Sequence, residues 1–186
     1  MPLSTEQLQQ GVQFSEGIPT EPPEAATQVE AQLGLTLPET LKQIHRLGGG
    51  AMIRNARCHK QPYNHPTENC DLYALVTNPF APHYSSVILA AYQLMLSGLD
   101  ESREAFRRVV PFGGDGAGGD YCLDYRVSDS PTVTKMYEGC YDLLARSLDE
   151  FVDRAIPDRR TFWESPDGRI TEQEEQSLLG VLPDCW

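Results

Sequence analysis

Two runs of apolar residues near the start of the chain recur at helical spacing. Ala26, Val29 and Leu33 form one stripe, stopped by Gly34, and Leu37, Leu41, Ile44 and Leu47 form a second. Pro38 suits the first turn of the second helix, where its missing N–H has no partner to lose, and the glycines at 48–50 end it. A short helix precedes an extended link over residues 17–24, which holds Pro19, Pro22 and Pro23. Residues 51–56 and 72–77 read as strands. The apolar run 87–96 fits a buried helix or a strand equally well, because so short a run does not distinguish them. Residues 107–112 read as a strand entering a glycine-rich turn. Beyond that turn Tyr121, Leu123, Tyr125 and Val127 alternate with Cys122, Asp124 and Arg126, the period-2 pattern of a half-buried strand. Residues 128–131 supply a turn and 132–137 the returning strand of a hairpin.

Ser147 with Glu150 three residues on predicts a capping box, and Leu148, Phe151, Val152 and Ala155 then face one way until Pro157 stops the helix. Thr171 and Glu174 repeat the relation in an acidic tail and predict a short terminal helix. Helices before and after a run of strands indicate an α+β fold: one domain, an antiparallel or mixed sheet of about five or six strands, and helices at both ends. The expected divisions are an N-terminal helix and linker over 1–21, the α+β domain over 22–156 and the tail over 157–186.

A chain of 186 residues can bury such a core without staples. The five cysteines, Cys58, Cys70, Cys122, Cys140 and Cys185, are odd in number and lack CxxC spacing, which points to a reducing, cytoplasmic setting. Residues 1–10 lack the basic and apolar regions of a signal peptide. The most apolar stretch, 87–99, is broken by Gln93, Ser97 and Gly98, so no membrane span is expected.

The net charge of −12 opposes nucleic acid and anionic lipid, whose recognition relies on Lys and Arg, and favours a basic protein partner. No Lys or Arg precedes Lys42, whereas Glu6, Glu16, Glu21, Glu24, Glu30 and Glu39 do. Solubility alone also accounts for such a charge run.

Four motifs invite chemistry. Gly114, Gly116 and Gly119 match the GxGxxG spacing of a dinucleotide turn, but that turn needs a following helix whose N-terminus holds the pyrophosphate. Here a strand-like segment follows, and Asp115 and Asp120 repel phosphate. The stretch 163–174 matches the second half of an EF-hand loop, with Gly168, Ile170 and Glu174 in place. Its first ligand position is Trp163, which offers no oxygen. Cys58, His59, His65 and Cys70 are the right residue types for zinc at no common spacing, and as a Cys–His nucleophile pair they lack an orienting third group. Asp149, Glu150 and Asp153 would suit acid–base chemistry in a cleft, yet on an amphipathic helix they form its outer face. Neither a metal, a cofactor nor a catalytic set is expected.

Glu30-x-x-Leu33-Gly34-x-x-Leu37-Pro38, followed by Leu41 and Gly48-Gly49-Gly50, resembles the opening helices of the SUKH superfamily of fungal cell-wall assembly regulators and bacterial immunity proteins. Val110-Pro111-Phe112-Gly113-Gly114-Asp115-Gly116 through Gly119-Asp120-Tyr121-Cys122-Leu123-Asp124-Tyr125 resembles that family's glycine turn and next strand. Ser147-Leu148-Asp149-Glu150-Phe151 resembles its closing helix. The likeness covers residues 22–156; the family often has Asn where this chain has Gly48, and the stretch 58–107 is longer than usual. The resemblance implies a non-catalytic α+β domain whose immunity members bind and block a cognate toxin, often a nuclease or deaminase. The alternative it implies is an intracellular scaffold for a housekeeping protein. On this reading Asp115, Asp120, Asp149, Glu150 and Asp153 are the candidate contacts to a basic toxin domain.

Overall fold

A computed structural model describes residues 3–16, 18–54, 69–75, 87–99, 101–137, 140–159, 162–163, 165 and 168–181. The chain opens with α1 (Thr5–Gly11), which begins in a complete capping box: Ser4 Oγ accepts from the Gln7 N–H, and Gln7 Oε1 from the Ser4 N–H. It runs directly into β1 (Val12–Phe14), then α2 (Ala25–Leu33), α3 (Glu39–Leu47), β2 (Ala51–Ile53) and β3 (Cys70–Leu72). Next come α4 (Ile88–Ser97), β4 (Val109–Gly114), β5 (Asp120–Asp124), β6 (Thr132–Tyr137), β7 (Cys140–Ala145), α5 (Leu148–Ala155) and α6 (Glu172–Leu179).

Among the described residues seven strands form one antiparallel sheet in the order β1 to β7, each beside its neighbours in sequence. The α+β architecture is as expected. Seven strands replace five or six because β1 and β7 are added at the two edges. β1 follows its helix without a turn signal and is only three residues long. The run 87–96 resolves as helix: Leu, Ala, Gln and Met dominate it, and all favour helix. Pro111 lies in the interior strand β4, at a register shift between Pro111 and Gly113, which is where an interior strand tolerates a missing N–H.

Alternate residues of the sheet feed two separate clusters. Val110, Phe112, Tyr121, Leu123, Tyr125 and Val133 face a core filled by Leu8, Val29, Leu41, Ile44, Phe151 and Val152. Val109, Cys122, Met136, Tyr141 and Leu143 face a second cluster with Leu96, Phe106, Ile170 and Leu179. β5 is therefore buried on both sides, where its alternation predicts one solvated face. The missing half of that expectation is the cover: Phe106 and the segment around α6 lie over Cys122 and Asp124.

The glycines at 48–50 do more than stop α3. Side chains at these positions would meet the N-terminal strap: a Cβ on Gly49 would overlap the Pro19 carbonyl oxygen, and one on Gly48 would lie 2.6 Å from a Phe14 ring carbon.

Candidate functional site

The five candidate carboxylates fall in two places, the β4–β5 turn and α5. In the turn, Gly116 (φ 74°) and Gly118 (φ 103°) adopt the left-handed conformations that reverse the chain without a side-chain penalty. Asp115 anchors the reversal, its Oδ1 accepting from the N–H of Ala117 at 2.8 Å and of Gly119 at 2.9 Å. Its Oδ2 lies 2.8 Å from Lys135 Nζ. Burial opposes its charge, yet Lys135 and the two backbone donors outweigh that and hold the carboxyl below the usual aspartate range. Asp120 behaves oppositely. Burial pushes its carboxyl up, with help from the Asp115 charge and against the Tyr73 hydroxyl that donates to it at 2.6 Å.

A strand, β5, follows the turn rather than a helix, so the GxGxxG spacing here has no helix N-terminus to present to a pyrophosphate. Lys135 is the residue that motif reading misses. The hairpin register could have found it, because pairing Asp124 with Thr132 sets Tyr121 opposite Lys135, and the ammonium then lies 5.4 Å from the Tyr121 ring centroid and beside Asp115.

On α5 the helix cap is half of the one expected. Ser147 Oγ accepts from the Glu150 N–H at 3.2 Å, but the Glu150 carboxylate accepts from the Arg146 N–H, one residue before the cap. Asp149 is half-buried and accepts from the Thr40 hydroxyl. Glu150 and Asp153 are buried rather than outward-facing. Glu150 pairs with Arg146 and Arg154. Asp153 Oδ2 accepts from Arg159 Nε and from Trp163 Nε1, each at 3.0 Å. The helix periodicity places these carboxylates away from the apolar stripe correctly and sets Arg154 one turn from Glu150, but Arg146, Arg159 and Trp163, which complete their cover, come from outside the helix.

Arg146 extends this network to the tail, donating to Glu174 at 2.6 Å and to the Arg169 carbonyl at 2.9 Å. Glu174 also completes the predicted capping box with Thr171, so the carboxylate in the twelfth EF-hand position caps α6 and binds an arginine instead. Of the zinc candidates, Cys58, His59 and His65 lie outside the described residues. Cys70 is buried, and burial pushes its thiol well up, with the Asp71 and Asp115 charges adding to the shift. Among the described residues no three His, Cys, Asp or Glu side chains are grouped to hold a metal ion. No helix among them is long and apolar enough to cross a membrane.

Chemically, this arrangement stabilises turns and helix ends and leaves an acidic exterior that includes Glu6, Glu16, Glu24, Asp71, Asp129, Asp142 and Glu172. A search of curated proteins returns no match. The model of the SMI1 / KNR4 family (SUKH-1), in contrast, matches residues 22–154, from the start of α2 through nearly all of α5. With the helix pair, the glycine turn and the closing helix all inside that match, the chain belongs to the SMI1 / KNR4 (SUKH-1) family.

Proposed function

We propose that the chain is a non-catalytic, cytoplasmic protein-binding domain that neutralises a basic toxin domain of nuclease or deaminase type by direct binding. The observation that carries this reading is the net charge of −12 on the chain that contains the SUKH domain, with its exposed carboxylates spread over the surface. A domain that cleaves or edits nucleic acid is commonly basic, and opposite fields raise the association rate and fix orientation. Asp115, Asp120, Asp149, Glu150 and Asp153 are the proposed contact region, and the two sets differ in how they would act. Asp120 and Asp149 reach the surface in part, whereas Asp115 would act by holding the turn and Lys135, and Glu150 and Asp153 by fixing Arg146, Arg154 and Arg159.

The test is capture of partners on the immobilised full chain, followed by assay of the purified partner. Capture of a basic protein with a nuclease or deaminase domain, inhibited at one-to-one stoichiometry and released by salt, is the expected result. A housekeeping protein bound with no inhibited activity would replace this reading with the scaffold. Asp149→Lys should then weaken the complex by about tenfold or more if that end of α5 makes contact. Unchanged affinity would remove α5 from the interface.

A further inference from the structure

One concave surface among the described residues brings two arginines and one carboxylate beside an apolar wall. A cavity of about 460 Å³ lies between the α2–α3 turn and the entry to β4, lined by Leu33, Leu35, Thr36, Arg107, Arg108 and Tyr125, with Asp129 at its edge as the one carboxylate. Its volume is in the range of sites that take a small ligand or a few residues of peptide, roughly 300–1,000 Å³. Leu33 and Leu35 are half-buried and pack on the main core, which gives the cavity a fixed apolar wall. Tyr125 is buried, with its hydroxyl donated to the Thr36 carbonyl at 2.8 Å, so the floor is rigid and its polar end is already satisfied.

The two arginines project from a backbone held at both carbonyls. The Arg107 carbonyl accepts from the Tyr92 hydroxyl at 2.7 Å, and the Arg108 carbonyl from the Tyr125 N–H at 2.8 Å. Their side chains are more than two-fifths exposed, at 61% and 45%. Each pairs with a carboxylate that is itself out in solvent: Glu104 at 78% exposed and Asp129 at 95%. Such exposed pairs contribute little and exchange readily for a better-held carboxylate. A carboxylate arriving with an apolar neighbour that covers Leu33 and Leu35 would be shielded from water, where a bidentate arginine contact is stronger.

We propose that this cleft docks a short acidic peptide segment of a partner protein, with an apolar side chain against Leu33 and Leu35 and a carboxylate on Arg108 and Arg107. The proposal is independent of the toxin reading, because its occupant carries the opposite charge to a basic surface.

The experiment uses the ¹⁵N-labelled full chain and two capped peptides, one with leucines flanking a pair of aspartates and one with lysines in place of the aspartates. The acidic peptide should give saturable shifts at the Gly34 and Leu35 amides and the Arg107 and Arg108 Nε–H groups. Its affinity should fall by about tenfold in R108E, since a salt-bridged anchor is then replaced by a like charge. D129N, which frees Arg108 from its internal partner, should bind the peptide more tightly than the parent. Both substitutions are at exposed side chains, and an unchanged melting temperature will show that the fold is intact. Equal binding of the lysine peptide, shifts confined to other surfaces, or no gain in D129N would overturn the proposal. So would inorganic phosphate saturating the same residues as tightly as the peptide, which would make the cleft a simple anion site.

Discussion

The two faces of the sheet are closed in different ways. On one face α1, α2, α3 and α5 bring Leu8, Val29, Leu41, Ile44, Phe151 and Val152 against the strands, and the phenol of Tyr125 ends on a carbonyl. On the other, Leu96 of α4, Phe106, Ile170 and Leu179 make a smaller cover, and a charged pair is shut in beneath it. Asp124 is 3% exposed and holds the Arg126 guanidinium through both oxygens, at 2.7–3.1 Å. The guanidinium carbon lies 5.4 and 4.9 Å from the ring centroids of Phe106 and Tyr141, which meet each other edge to face at 5.5 Å. Tyr141 donates its hydroxyl to Asp124, and Arg126 reaches on to the Leu179 carbonyl at the end of α6. The first face is held by apolar area, which tolerates some repacking. The second depends on one satisfied ionic cluster, which does not.

The sharpest way to break this contrast is Asp124→Ala. It leaves Arg126 charged with its side chain only 10% exposed and removes the carboxylate to which Tyr141 donates, and the expected loss is about 3–5 kcal/mol in urea-induced unfolding. Replacing both partners with apolar residues, Asp124→Leu with Arg126→Met, should recover most of it, since the cost lies in the orphaned charge. A loss below about 1 kcal/mol for the single substitution would class the pair with surface ion pairs and make the two faces alike.

Legibility in the sequence followed the same division. The stripes that close the first face, Val29 with Leu33 and Leu41 with Ile44, are visible because one apolar face per helix is what periodicity detects. The glycine turn was visible too, since Gly116 and Gly118 need the left-handed conformation. Asp124 and Arg126 read as the solvated side of β5 because the residues that cover them, Phe106, Ile170 and Leu179, lie far along the chain. Much the same limit applies to the candidate carboxylates. Spacing sets Glu150 and Asp153 on the polar side of α5 and puts Arg154 one turn after Glu150, but Arg159 and Trp163, which cover Asp153, become its neighbours only where the chain folds back beyond the helix.

A smaller effect, on the first face, concerns α3. His45 is 4% exposed and its Nε2 has no hydrogen-bond partner among the described residues. Burial lowers its pKa from 6.5 to about 4. The unfolded chain therefore takes up a proton between these values that the folded chain refuses, so stability falls as pH falls through this window. The loss should reach roughly 3 kcal/mol at pH 4, and none of it should be present above pH 7. The difference between the parent and His45→Gln, followed by chemical unfolding from pH 7 to pH 4, isolates the term from titrating carboxylates. A difference that is flat with pH would mean that His45 gains a partner in solution.

The smallest effect tests how firmly the second cover is attached. Glu174 completes the capping box of α6 and pairs with Arg146, but both groups of the pair are about one-third exposed, 30% for Arg146 and 38% for Glu174. Removing it by Glu174→Ala should cost about 1 kcal/mol from the cap and less from the pair. That is well short of the cost of Asp124→Ala because Arg126 still holds the Leu179 carbonyl. The loss should be local: α6 amides should exchange with solvent about fivefold faster while β5 and β6 amides keep their protection. If the β5 amides accelerate equally, α6 opens only with the whole domain, and the tail then belongs to the same cooperative unit as the residues matched by the family. If α6 alone accelerates, it is a separable cover, and the ionic cluster beneath it is what lets the rest of the sheet survive its opening.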